Sequence, residues 1–261
     1  MTPGGLSLGV YKKFGEVTYY HAARQEQVIE RIGDADIILL NKLVIDRNVM
    51  TSCKNLKFIG LFATGFNTID VKAARELGIT VCNAGSYSTK AVAQHTFALI
   101  LNHFNKITDY KNAVDDGIWE KSELTTLYDF PTDELEGKTI GIVGYGHIGK
   151  RVATLAKAFD LNVLVHTRTK REEEGITFVS LEELLEKSDI VSLHLPLTDE
   201  SRLMFNKDKF ALCKKKPYFV NTARGGLVNE DDLKDAVEKG VLSGAGLDAL
   251  TVEPMRNCVL K

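Results

Sequence analysis

The run Thr139-Ile140-Gly141-Ile142-Val143 leads directly into Gly144-Tyr145-Gly146-His147-Ile148-Gly149-Lys150. A short apolar stretch rich in β-branched residues has the pattern of a buried strand. The positions that follow, Val152, Leu155, Ala156 and Phe159, are apolar at helical spacing, and a second strand pattern covers Asn162–His166. Strand, G-x-G-x-x-G, helix and strand in that order form a junction suited to a pyrophosphate. The first glycine permits a tight turn, and the second lets the backbone approach the phosphates. The third lets helix and strand pack closely, so that the free N–H groups of the helix start face the anion. A plain Gly-rich turn is the competing reading, and the surrounding strand–helix–strand context argues against it.

With 261 residues the chain can hold one large domain or two. The formal net charge of -2 gives no reason to expect nucleic acid or an anionic membrane as partner. Lys214-Lys215-Lys216 is short enough to be a solvated helix end. No apolar run approaches the roughly twenty residues a membrane span needs. Met1 to Val10 lacks the basic-then-apolar order of a signal peptide. Cys53, Cys82, Cys213 and Cys258 are far apart, without C-x-x-C spacing. They read as free thiols in a reducing compartment, with the cytoplasm as default and no metal site expected.

Strand and helix patterns alternate along the chain, which predicts an α/β protein with mainly parallel strands. The first half reads as strands Val17–Tyr20, Asp36–Leu40, Phe58–Ala63 and Thr80–Cys82, with helices Glu26–Ile32, Asp46–Ser52 and Val71–Leu77 between them. Ser88–Phe104 is a long helix with little charge, expected between two domains. After a loop over Gly117–Glu136 the alternation restarts as a doubly wound sheet. It continues past the first two strands with helix Leu181–Glu186, strand Ile190–Leu193, helix Lys207–Cys213, strand Tyr218–Asn221, helix Asp231–Glu238 and strand Ala245–Leu247. The expected division is a first domain over 1–87, a nucleotide-binding domain over 88–255 and a short segment over 256–261.

An NAD-selective site places an Asp or Glu at the end of the second strand, about 20 residues past the glycines, on the ribose hydroxyls. That strand ends here in His166-Thr167-Arg168-Thr169-Lys170-Arg171, with no acid. Thr167, Arg168 and Thr169 offer two hydroxyls and a guanidinium, a set that suits a 2′-phosphate. The reading is NADP(H), with NAD as the alternative and a ligand-free basic loop as the competing view.

Three further stretches carry a resemblance. They are Leu61-Phe62-Ala63-Thr64-Gly65-Phe66-Asn67-Thr68-Ile69-Asp70, Asn221-Thr222-Ala223-Arg224-Gly225-Gly226, and Asp248-Ala249-Leu250-Thr251-Val252-Glu253-Pro254. With Ser88–Thr96, Glu134–Thr139 and Ser188–Thr198 they extend over nearly the whole chain. The chain resembles the D-2-hydroxyacid dehydrogenase family, most closely its glycerate dehydrogenase (hydroxypyruvate reductase) branch.

The resemblance implies a Rossmann coenzyme domain joined by a long interdomain helix to a flavodoxin-like substrate domain. It implies an active site in the cleft, a homodimer held by the coenzyme domains, and reversible hydride transfer between a nicotinamide and a small 2-keto acid. Arg224 takes the catalytic arginine role, because its planar fork can hold a carboxylate and polarise a ketone together. Thr64 and Gly65 present backbone N–H groups to the substrate carboxylate. Lys42 lies in the same cleft, with a solvated lysine as the alternative. Gly144, Gly146, His147, Ile148 and Gly149 meet the pyrophosphate. Pro196 and Thr222 shape the cofactor floor, and Asp248 binds the nicotinamide amide. Gln94 and Thr96 reach the cofactor from the long helix, with helix packing as the competing role.

Glu253 would orient the family's catalytic histidine and raise its pKa. That histidine belongs to a Pro-His motif a few tens of residues later, and the sequence stops at Lys261. The start, Met1-Thr2-Pro3, falls about where the family's first strand ends. None of His21, His95, His103, His147, His166 and His194 follows Glu253, so none takes the acid role. Losing a positioned acid costs a factor of about 10² to 10⁴, so the expectation is a dehydrogenase scaffold with impaired turnover. Hydroxypyruvate/glycerate or glyoxylate/glycolate are the expected substrate pairs. An inactive nucleotide-binding fragment and a nucleotide-regulated, co-repressor-like binding protein are the alternatives.

Overall fold

The computed structural model describes residues 8–169, 171–255 and 258–260. The chain divides into two compact units, Met1–Tyr87 and Ser88–Lys261. Lys170 of the basic run, and Arg256, Asn257 and Lys261 of the last segment, lie outside the described residues.

In the first unit α1 (Val28–Ile32), β1 (Ile37–Leu40), α2 (Arg47–Ser52), β2 (Phe58–Leu61), α3 (Val71–Glu76) and β3 (Thr80–Cys82) follow in order. The three strands are parallel in the order β1-β2-β3. Two helices start where an aspartate caps them: Asp46 accepts from Val49 N at 2.9 Å and Asp70 from Ala73 N at 2.8 Å. Ile59, Leu61, Val49, Met50 and Ala73 form the centre of the unit's core. Because the strands are parallel, their carboxyl ends share one edge, where Lys42 and Thr64 follow β1 and β2.

The strand expected over Val17–Tyr20 is not formed. Its alternation is real, but Val17, Tyr19 and Tyr20 are 41%, 49% and 45% exposed. A strand is stable only with a paired neighbour and a face to bury, and this segment has neither among the described residues.

The second unit opens with α4 (Thr89–Asn105) and α5 (Ile107–Asp115). It continues with β4 (Thr139–Val143), α6 (His147–Ala158), β5 (Asn162–His166), β6 (Thr177–Phe178), α7 (Leu181–Lys187) and β7 (Ile190–Leu193). It ends with α8 (Lys207–Phe210), β8 (Tyr218–Asn221), α9 (Glu230–Glu238) and β9 (Gly244–Leu247). All six strands are parallel, in the order β6-β5-β4-β7-β8-β9. Counted from β4 as the first strand, this is the 3-2-1-4-5-6 order of the doubly wound dinucleotide-binding fold.

The sheet is buried on both faces, which explains its continuous apolar strands. Ile140, Ile142, Val165, Ile190 and Val220 face α4 and α6. Val143, Val191, Leu193 and Phe219 pack with α7, α8 and α9 on the other face. Ile190 and Val191 go to opposite layers, as the two-residue period of a strand requires. On α6 the buried positions Gly149, Val152, Ala153 and Ala156 form one stripe.

Two elements differ from expectation by addition: α5 and the two-residue β6. A third, α8, is shorter than the helix expected over Lys207–Cys213. Its chain turns after Phe210 so that Phe210 and Cys213 both enter the core. No helix among the described residues is long and apolar enough to cross a membrane.

Candidate active site

In an open parallel sheet the ligand crevice lies past the carboxyl ends of the strands where the order reverses. Here that point is between β4 and β7. Gly144 leaves β4 at φ 98, a left-handed conformation that glycine adopts without cost. A Cβ on it would stand 2.5 Å from the His194 carbonyl oxygen at the end of β7. A Cβ on Gly149 would overlap the Gly144 carbonyl oxygen. Gly146, the N-cap of α6, has no atom within 4 Å of the place its Cβ would occupy. Two of the three glycines are therefore demanded by protein packing. The open space at Gly146 is the shape an approaching phosphate needs, beside the free N–H groups of a helix start. His147 is exposed and Ile148 half-buried at that start.

Past β5, Thr167 is half-buried and Arg168 and Thr169 are exposed. β5 pairs in register with β4, Val143 opposite His166, so this loop leaves the sheet beside the glycine turn. Past β7, the His194 Nε2 lies 2.8 Å from the Ser192 hydroxyl. Burial pulls this imidazole down to about 3, so it is neutral at physiological pH. Pro196 is held next: the buried Ser201 hydroxyl donates to the Pro196 carbonyl at 2.8 Å and accepts from Thr198 N at 2.8 Å.

Past β8, the Asn221 side chain closes a turn around its own strand end. Its Oδ1 accepts from Ala223 N at 3.0 Å and its Nδ2 donates to the Arg224 carbonyl at 2.9 Å. The turn presents the half-buried Arg224, whose guanidinium donates to the Ala223 carbonyl at 2.7 Å. Thr222 is buried, and its hydroxyl meets that of Thr96 at 3.0 Å. Thr96 also donates to the Val92 carbonyl of its own helix at 2.9 Å. Past β9, Asp248 Oδ1 stands 3.4 Å from His95 Nε2 of α4. Glu253 Oε1 accepts from Leu250 N at 3.3 Å. Gln94, one position before His95, is exposed.

The second unit thus gathers Gly144, Gly146, His147, Thr167, Arg168, Pro196, Thr222, Arg224 and Asp248 at the carboxyl edge of one sheet. In the first unit Lys42 has φ 63 just past β1, and the Thr64 carbonyl accepts from Asn83 Nδ2 at 2.7 Å. Gly65 follows Thr64 at the same edge and is half-buried. Among the described residues no group of three or more His, Cys, Asp or Glu side chains could hold a metal ion.

Sequence reading missed Asn221, Ser201 and Glu230. Asn221 and Ser201 act through turns only two to five residues long, so a polar residue at a strand end was the available signal. Glu230 offered none, because its partner is Thr251.

The model of the D-isomer specific 2-hydroxyacid dehydrogenase NAD-binding domain matches residues 97–259. The hydroxypyruvate reductase of Blautia hydrogenotrophica is 38% identical over 98% of this chain and 81% of its own length. The glycerate dehydrogenase of Methylorubrum extorquens is 35% identical over 89% of this chain and 73% of its own. Among solved structures, an acyclic imino acid reductase in complex with NADPH and D-Arg superimposes with a TM-score of 0.88 at 31% identity, covering 97% of this chain and 82% of that one.

Proposed function

The chain belongs to the D-isomer specific 2-hydroxyacid dehydrogenases, and from that membership we propose that it moves a hydride between NADP(H) and a small 2-keto acid, hydroxypyruvate or glyoxylate. The products are glycerate or glycolate. The observation that carries the reading is the turn at the strand-order reversal. Gly144 and Gly149 are fixed by packing and Gly146 is left open, which fits a dinucleotide pyrophosphate. The relatives named hydroxypyruvate reductase and glycerate dehydrogenase support the substrate class.

The nicotinamide supplies or receives the hydride; the chain binds and orients. His147 and Ile148 offer backbone N–H groups to the pyrophosphate at the start of α6. Thr167, Arg168 and Thr169 hold the 2′-phosphate, and none of the three is acidic. Asp248 accepts from the carboxamide, with His95 beside it. Pro196 and Thr222 form the floor, and Thr96 acts through its bond to Thr222. Arg224 binds the substrate carboxylate and draws charge from the ketone oxygen as it becomes an alkoxide. Thr64 and Gly65 add backbone donors for the carboxylate, and Lys42 adds positive charge. By the resemblance Glu253 is the carboxylate that would orient a proton-donating imidazole, a role assigned to none of the six histidines of this sequence.

A homodimer fits the exposed apolar side chains that follow α4. Ile107, Val114, Trp119 and Leu124 are each more than half exposed, more apolar surface than an isolated subunit favours. Sedimentation at two protein concentrations tests it.

The function is tested by hydroxypyruvate-dependent oxidation of NADPH and NADH in parallel, with cofactor affinity measured alongside. Keto-acid-dependent oxidation favouring NADPH is the expected result. Nucleotide-dependent dimerisation without turnover on either keto acid would favour a nucleotide-regulated binding protein instead.

A further inference from the structure

We propose that Glu230 is a positioning residue that locks the turn carrying Asp248 and Glu253 against the turn carrying Arg224. This rests on the dehydrogenase reading for its effect on turnover, but not for the contact itself. Glu230 opens α9, where Asn229 caps the helix by accepting from Asp232 N at 3.2 Å. An anion is favoured at that end of a helix. Glu230, Asp231 and Asp232 would all satisfy the dipole, but their side chains do different things. Asp232 accepts from Lys207 N at 3.0 Å, at the start of α8. Glu230 reaches 21 residues along the chain and accepts from Thr251 N at 2.6 Å.

The Leu250–Thr251 peptide receives that bond from one side. On another, it abuts Gly225, the residue after Arg224. A Cβ on Gly225 would overlap the Leu250 carbonyl carbon and the Thr251 nitrogen, so only glycine allows the approach. Leu250 N, at the other end of the same residue, donates to Glu253. One peptide unit is therefore held between the backbone beside Arg224 and a carboxylate on α9, and Glu253 is bonded to the residue that begins it. Cys258 Sγ lies 3.9 Å from the second Glu230 oxygen, which brings the same carboxylate to the segment beyond. A charge-assisted hydrogen bond at 2.6 Å is strong for its type. It restrains a turn whose residues 251–255 are exposed and have little packing of their own.

The test compares Glu230→Ala with Glu230→Gln, which keeps an acceptor oxygen at the same reach. Amide exchange is read over 248–253, over the Arg224 turn and over the core strands. Keto-acid reduction is measured as separate kcat and KM values. In Glu230→Ala, exchange over 248–253 should rise about tenfold while β4 and β8 keep their protection, and kcat should fall about tenfold with the keto-acid KM within about twofold. Glu230→Gln should restore most of both. Unchanged exchange over 248–253 would overturn the lock. Raised exchange with unchanged kcat, or raised exchange throughout the core, would overturn the positioning role. If the parent chain itself reduces no keto acid, the proposed keto-acid turnover and the turnover role of Glu230 fail together, while the exchange still decides the lock.

Discussion

The hydroxyls of Thr96 and Thr222 meet at 3.0 Å in the interior, joining the middle of α4 to the end of β8. Both residues are buried, Thr96 completely. Thr96 donates to Val92 O, so the shared bond is donated by Thr222. Thr96→Val keeps the shape but strands the Thr222 hydroxyl. It should cost about 1–3 kcal/mol in urea unfolding. Thr222→Val should cost less, because Thr96 keeps its bond to Val92, and the double variant should fall short of the sum. Additive losses would show that the two hydroxyls do not bond.

The three glycines of the phosphate turn should separate folding from binding. Gly144→Ala meets both a left-handed φ of 98 and the His194 carbonyl, and should lose about 2 kcal/mol or more of stability. Gly149→Ala should also be poorly tolerated, because its Cβ overlaps backbone. Gly146→Ala has open space and an ordinary φ of -80. Its stability should stay within about 1 kcal/mol of the parent, while NADPH affinity falls at least about tenfold. A Gly146→Ala chain that binds NADPH normally would remove the phosphate from this turn.

What could be read from sequence follows the range of the interaction. The glycine turn was legible because the strand, the turn residues and the apolar stripe of α6 lie within about twenty residues and have local causes. The buried strands β7 and β8 were legible because a two-faced parallel sheet demands continuous apolar runs. Val17–Tyr20 alternates like a strand, but pairing is a property of a neighbour and not of the segment. β6, at two residues, is too short to show a period. Thr96–Thr222, His95–Asp248 and Glu230–Thr251 join residues that the fold alone brings together. Motif resemblance marked Thr96, Thr222 and Asp248 without revealing what they touch.

Acid should weaken the second unit through His103. The ring stacks on Tyr218 with centroids 3.9 Å apart, and Ser243 Oγ lies 3.2 Å from its Nε2. Burial, with Lys106 nearby, lowers its pKa to about 4, against an ordinary 6.5. Asp109 opposes the shift only in part. The unfolded chain therefore takes up the proton first. Stability from this group is complete above about pH 6.5 and declines as pH falls toward 4. His194 declines over a similar range, from 6.5 toward about 3. His103→Phe keeps a stacking ring and removes the titration. Between pH 7 and pH 5 it should lose about 1 kcal/mol less than the parent, allowing for the ring's partial exposure. Equal losses in urea titrations at the two pH values would place the acid sensitivity elsewhere.

The choice of cofactor should turn on one guanidinium. Arg168 stands two residues past β5 on a loop with Thr167 and Thr169 on either side. The position where an acid would bind the ribose hydroxyls is not acidic. A guanidinium facing a 2′-phosphate makes charge-assisted bonds that the free 2′-hydroxyl of NADH cannot match. Arg168→Ala should therefore raise the NADPH dissociation constant about tenfold or more and leave that of NADH within about twofold. Because the attraction is between exposed charges, the parent's preference should shrink as salt rises. Thr167→Asp should reverse it, by placing a carboxylate where it repels the phosphate and accepts from the ribose. A parent chain that binds NADH as tightly as NADPH at low salt would show that this loop does not read the 2′ position.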